Sequence, residues 1–205
     1  MFRSFRRCWM GSRPVSDDDV YLNEAVQVAA KILVVGHFAV GKTTFIGTMS
    51  EIPPLRTEER MTQAGAHVDD LMGTRGKTTT TVAMDFGRLT LSERLVLYLF
   101  GTPGQERFVQ VWEDMTRGAL GALILVDPER LKESFPVIDL VEHYGLPYAI
   151  SVNHFDGTPA RPESELREAL DLLPETPIVT CDARDEKSSA NALMTLVRYL
   201  QERTR

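Results

Sequence analysis

One short run constrains this chain more than any other. Gly36 to Thr44 read GHFAVGKTT, which satisfies G-x-x-x-x-G-K-[ST]. An apolar run, KILVVG (Lys31 to Gly36), precedes it, and a helical pattern from Lys42 to Met49 follows. A strand, then this loop, then a helix is the context in which such a motif cradles phosphate. Gly36 and Gly41 let the backbone curl, so that the N–H groups of the loop (His37, Ala39, Val40 and Gly41) and of the helix start (Lys42, Thr43 and Thr44) face phosphate oxygens. The helix N-terminus adds positive potential. Lys42 is the candidate to neutralise the β- and γ-phosphates, and Thr43 offers a hydroxyl to Mg²⁺.

Short apolar runs alternate with helical patterns along the rest of the chain. RLVLYLF (Arg94 to Phe100), ALILV (Ala122 to Val126), PYAISVN (Pro147 to Asn153) and PIVTC (Pro177 to Cys181) read as strands. TVAMDFGRLTL (Thr81 to Leu91) pairs antiparallel with Arg94–Phe100 across a turn at Ser92–Glu93. Ser134 is a candidate helix cap, with Pro136 in the first turn and Gly145 past the end. Pro162 to Leu172 is another helix. The last, Lys187 to Gln201, places Ala190, Leu193, Met194, Val197 and Leu200 on one face. Ser50 to Lys77 shows weak periodicity and reads as a long connection that is functional, mobile or both. The alternation predicts an α/β three-layer sandwich around a six-stranded, mostly parallel sheet with one antiparallel edge strand.

Composition trims the alternatives. The formal net charge of −6 gives no electrostatic support to nucleic-acid binding. The longest apolar run, Ala119 to Val126, is far too short to cross a bilayer. Cys8 and Cys181 form neither a disulfide framework nor a zinc pattern, which fits a reducing cytoplasm. His37, His67 and His143 lack metal-ligand spacing with them and read as polar surface or loop residues. Residues 1–27 form an N-terminal extension, basic with interleaved aromatics and then acidic; residues 28–205 form the folded domain. The extension reads as a peripheral membrane-surface anchor with an acylated Cys8, or as a disordered tail or the product of an upstream start codon wrongly chosen. Its short apolar stretch lacks a helical face and favours the tail.

Downstream of the phosphate loop, KTTTTVAMDF, FGTPGQERF, NHFD and TCDAR occur in order. With GHFAVGKTT, these motifs make the chain resemble the Ras-like small GTPases from about Val28 to Leu200. It is most similar to the bacterial GTPases of conservon operons, themselves related to the gliding-motility and polarity GTPases. The resemblance implies a P-loop NTPase fold, GTP and GDP as ligands, Mg²⁺, and a GTP/GDP switch in a bacterial signalling complex. It implies two partners, a roadblock-type protein and a sensor-kinase-like protein, and a cytoplasmic site with recruitment to a membrane through partners.

By the same resemblance, Thr81 closes on Mg²⁺ and the γ-phosphate, with Thr80 as the alternative. Gly104 donates its N–H to the γ-phosphate, and Gln105 orients the attacking water. Gly101 stands where the family carries an aspartate that contacts Mg²⁺ through water. Asp127 is too far round the sheet to replace it; Asp85 is another candidate carboxylate, although it corresponds to a position that usually faces partners. The motility GTPases carry an arginine before the switch threonine; here Thr80 holds that place, with Arg75 and Lys77 nearby. Slow intrinsic hydrolysis follows. A nucleotide-loaded scaffold that does not hydrolyse is the alternative.

NHFD is the base-reading motif that the resemblance implies. Asp156 is a buried acceptor for N1 and the exocyclic amine of guanine, and Asn153 ties its loop to the phosphate loop. His154 replaces a lysine that packs on the base. Cys181, Asp182 and Ala183 complete the base site, with the Ala183 N–H donating to guanine O6 and Arg184 flanking the base. An adenine-nucleotide enzyme is the remaining competitor.

Overall fold

The computed structural model describes residues 26–53, 55–61, 80–102 and 109–203. Its elements run β1 (Val28–Val35), α1 (Lys42–Met49), β2 (Leu55–Met61), β3 (Thr80–Ser92), β4 (Leu95–Gly101), α2 (Val109–Thr116), β5 (Ala119–Val126), α3 (Phe135–His143), β6 (Tyr148–Asn153), α4 (Glu163–Ala169), β7 (Ile178–Cys181) and α5 (Glu186–Arg203). The strands order β2-β3-β4-β1-β5-β6-β7 in one sheet.

β3 is antiparallel to both its neighbours, and the other pairings are parallel. The expected six strands and single antiparallel strand are therefore present. A seventh strand joins them: β2 arises inside the stretch expected to be an irregular connection. It covers the outer side of β3, so the antiparallel strand is second from the edge. Arg56, Glu58 and Arg60 alternate with Thr57 and Glu59 in β2. An edge strand this charged has no apolar alternation to reveal it, and charge is what an exposed edge tolerates best. The hairpin turn falls at Glu93–Arg94, one residue later than expected.

Alternation along β1 explains the three layers. Ile32 and Val34 face one side, Leu33 and Val35 the other. On the first side, Phe45, Ile46 and Met49 of α1 pack with Ala192, Leu193 and Leu196 of α5. On the second, Trp112 and Met115 of α2 join Ile138 and Val141 of α3 and Leu166 of α4. Central strands are buried on both faces, which is why they read as unbroken apolar runs. Each fully buried Leu, Ile or Phe contributes about 1.5–3 kcal/mol of transfer free energy.

Two local expectations shift. The α5 face turns toward Ser189, Ala192, Leu193 and Leu196, while Ala190, Val197 and Leu200 are its partly buried margin. Ser134 closes a 3-10 turn, Leu131–Ser134, in helical conformation and makes no side-chain cap bond. Pro136 and Gly145 behave as expected, with Gly145 at φ 65° just past the helix end.

Candidate functional site

Parallel registers bring the motifs to one sheet edge. Val34 pairs with Gly101, Val35 with Ile124, Val126 with Val152 and Asn153 with Cys181. The chain passes to opposite sides of β1, so the phosphate loop leaves the sheet at its topological switch point, where such folds bind ligands. Because β3 runs the other way, its first residues reach the same edge.

The loop has the backbone that its glycines permit. Gly36 and Gly41 sit at φ 145° and 104°, and Ala39 at 63° is a rare left-handed alanine. A Cβ on Gly41 would lie 2.6 Å from the Asn153 side-chain nitrogen. Lys42 is 9% exposed, and its Nζ donates to the Gly36 and His37 carbonyls at 2.7 Å each. Burial lowers its pKa to about 8, against the opposing pull of the Asp85 carboxylate. The lysine is thus held inside the loop it serves, and a phosphate would stabilise its charged form.

His37 is buried, not a surface residue. Its Nδ1–H donates to the Phe38 carbonyl at 2.7 Å, and the Glu133 carboxylate lies 3.5 Å away. Burial pushes its pKa down, with the Phe38 carbonyl pulling the other way. Thr44 is exposed, as is Phe38.

The missing aspartate has a structural counterpart. Asp85 lies directly across the ladder from Gly101. Its Oδ2 accepts a hydrogen bond from Thr43 Oγ1 at 2.5 Å. Of the two readings of Asp85, the geometry favours the candidate carboxylate: antiparallel pairing carries it to the helix start. Gly101 makes room for it. A Cβ there would lie 2.8 Å from Ile46 Cδ1 and 3.1 Å from Asp85 Cβ. Asp127 is occupied elsewhere, accepting from the Glu129 N–H and Arg130 Nε. Among the described residues no cluster of three or more His, Cys, Asp or Glu could hold a metal ion. The Thr43–Asp85 pair is a different kind of anchor. Its hydroxyl and carboxylate are hard oxygens, and Mg²⁺ commonly uses one or two of these beside substrate phosphates. The residues present fit that ion.

Asn153 joins the two ends of the site. Its Nδ2 donates to the Val40 carbonyl at 2.9 Å, and its Oδ1 accepts from the Ala183 N–H at 3.0 Å. The tie to the phosphate loop is as expected. The Ala183 N–H, expected to be available to guanine O6, is corrected: it is buried and already serves Asn153. Thr48 Oγ1 donates to the Ala183 carbonyl at 2.7 Å, a brace from α1 that carries no sequence signature. The His154 N–H donates to the Cys181 carbonyl at 2.6 Å, linking the loops that follow β6 and β7. The Cys181 side chain faces the core beside Ser189 and is not presented to the candidate site.

Asp156 departs from the expected buried acceptor. Its side chain is 83% exposed, and Arg184 grips both its oxygens at 2.9 Å. Asp182 holds the same guanidinium through Nε and a terminal nitrogen, also at 2.9 Å. These bonds, and the charge behind them, hold the Asp156 carboxyl below its usual range and bring Asp182 down to about 2.

Thr80 and Thr81 lie in β3, their backbones paired with Met61 and Arg60. Gly104, Gln105, Phe108, His67, Arg75 and Lys77 lie outside the described residues. Trp112 is buried in the core. Phe86 stacks on Tyr98 and meets Phe100 edge-on.

Residues 34–203 match the family described as "Conserved hypothetical ATP binding protein". An uncharacterized protein of Methanocaldococcus jannaschii is 31% identical over 128 residues, covering 62% of this chain and 70% of that protein. The G domain of the T. maritima FeoB iron transporter superposes with a TM-score of 0.57 at 15% identity, covering 84% of this chain and 99% of that one. At that identity the likeness concerns the fold: a P-loop nucleotide-binding domain. Among the described residues no helix is long and apolar enough to cross a membrane.

Proposed function

The chain belongs to the family described as conserved hypothetical ATP binding proteins, and from that premise we propose that it binds a guanine nucleotide with Mg²⁺ and hydrolyses GTP slowly as a molecular switch. The observation that carries this reading is the pair of hydrogen bonds made by the Asn153 side chain, which ties the phosphate loop to the loops bearing Asp156 and Ala183. A phosphate chain on Lys42 then places its base against the Asp156 loop. A carboxylate accepts two N–H groups from guanine; adenine lacks that paired donor edge.

The chain's own residues divide the work. The loop N–H groups and Lys42 hold phosphate oxygens. Thr43 and Asp85 would hold Mg²⁺, which neutralises charge on those oxygens when bound. Gln105 orients the attacking water, and Gly104 donates to the γ-phosphate. Thr81, or Thr80, closes over the nucleotide. To do so it leaves the β3 ladder, so β2 and the start of β3 would be the elements that switch. An arginine finger is worth about 10³–10⁵ in turnover. Without one before the switch threonine, single-turnover hydrolysis stays below about 0.01 s⁻¹. The partners proposed are a roadblock-type protein and a sensor-kinase-like protein, reading the β2–β3 edge and α2.

A second reading, adenine recognition, is favoured by the family's description and by the commitment of the Ala183 N–H to Asn153. One experiment separates them. A fluorescent GDP analogue is loaded with and without Mg²⁺, then competed with GTP and ATP. Displacement by GTP alone supports the guanine site; equal displacement by ATP overturns it. Loss of hydrolysis in Gln105→Ala supports the switch, whereas an unchanged rate supports a non-hydrolysing scaffold.

A further inference from the structure

The Arg184 guanidinium occupies the carboxylate that the guanine reading assigns to the base. Its two terminal nitrogens each donate to one oxygen of Asp156 at 2.9 Å. Those nitrogens share one carbon and present two parallel N–H groups to one carboxylate, the fork geometry of a bidentate pair. The N1–H and exocyclic amine of guanine flank one carbon in the same way. Asp156 is thus set to receive a planar, two-donor edge, and in this structure a side chain of the same chain supplies it.

A second carboxylate keeps that side chain close. Asp182 accepts from Arg184 Nε and a terminal nitrogen, and from the Arg184 backbone N–H at 2.9 Å. Asp182 is two residues from Arg184; Asp156 is remote in sequence. The guanidinium can release the remote carboxylate and remain held by the local one.

We infer that Arg184 is an internal stand-in for the base: it occupies Asp156 before nucleotide arrives, and guanine takes its place while Asp182 retains the arginine. This rests on the guanine reading above and adds a positioning residue to it. The arrangement keeps Asp156 ionised and oriented. It also sets a threshold, because a base must offer two donors to replace the two it displaces. Arg184 therefore opposes nucleotide loading instead of simply flanking the base.

The test measures GDP association rate, GDP affinity and ADP affinity for the full chain, Arg184→Ala and Arg184→Gln, at low and high salt, with melting temperatures as a folding control. Removing an exposed charged pair should speed loading and tighten GDP about three- to fivefold in both variants. The gap from wild type should narrow at high salt, since exposed charges are screened. A purely structural role for Arg184 would lower the melting temperature and give no faster loading. If both variants bind GDP more weakly or unchanged, the stand-in role is overturned and the guanine site stands. If wild type and variants bind ADP as well as GDP, the guanine reading fails with it. Failure of all of them to bind nucleotide overturns both.

Discussion

Restoring the aspartate that the resemblance leads one to expect should harm this protein. In Gly101→Asp the new Cβ arrives 2.8 Å from Ile46 Cδ1 and 3.1 Å from Asp85 Cβ. Ile46 is fully buried, so its side chain can yield only into a packed core. Overpacking of this kind costs about 1–3 kcal/mol. The new carboxylate also meets the charge of Asp85 across the ladder. At roughly 4–5 Å and an effective dielectric of about 20, that repulsion is about 3–4 kcal/mol. For a domain of this size each kcal/mol moves the melting temperature about 2–4 °C. A fall of roughly 8–28 °C is expected, with no gain in Mg²⁺-dependent GDP retention. Gly101→Ala isolates the packing part and should lose about 2–12 °C. Adding Ile46→Val removes the nearest methyl, so the double variant should fall by less than the sum of the singles. Thermal unfolding and a Mg²⁺ titration of bound fluorescent GDP make the measurement. If Gly101→Asp melts within about 2 °C of wild type and holds Mg²⁺ more tightly, the idea that Asp85 occupies the aspartate's place is wrong.

Other outcomes follow from the same geometry. Asp85→Asn keeps the shape but loses the charge, and should weaken the Mg²⁺ dependence of GDP binding about tenfold while leaving Mg²⁺-free binding nearly unchanged; equal Mg²⁺ titrations would refute it. Lys42 titrates at about 8 in the native chain against an ordinary 10.5. The unfolded chain therefore holds more protons between those values, and this residue's contribution to the stability of the nucleotide-free protein rises with pH across that window. Bound phosphate reverses the preference, so GDP affinity should fall about tenfold per pH unit above 8, a slope that proton-uptake calorimetry would detect and that Lys42→Met should abolish. Asn153→Ala strands the Val40 carbonyl and the Ala183 N–H in buried positions, at about 1–3 kcal/mol each; a variant that unfolds like wild type in urea would show that the two loops do not depend on this bridge.

The phosphate loop was legible from sequence because its chemistry is local. Glycines at fixed offsets, a lysine and a hydroxyl act through the backbone they sit on, and the flanking strand and helix announce themselves by apolar runs. The α/β alternation was legible for a similar reason: period and burial act residue by residue along the chain. β2 was hidden because an edge strand needs no apolar face. The pairing of Asp85 with Gly101 was hidden because it depends on hairpin register, which places side chains from different strands beside one another. Sequence could name Gly101 as an absence; only the ladder shows that its missing Cβ is space used by Ile46 and the Asp85 side chain. The same holds at the base end. Asp156, Asp182 and Arg184 could each be named from NHFD and TCDAR. That one guanidinium bridges both carboxylates, and that the Ala183 N–H serves Asn153 and not an open site, was decided by two parallel strands ending side by side. Local geometry belongs to the sequence, whereas contacts between distant strands exist only once the sheet has fixed their register.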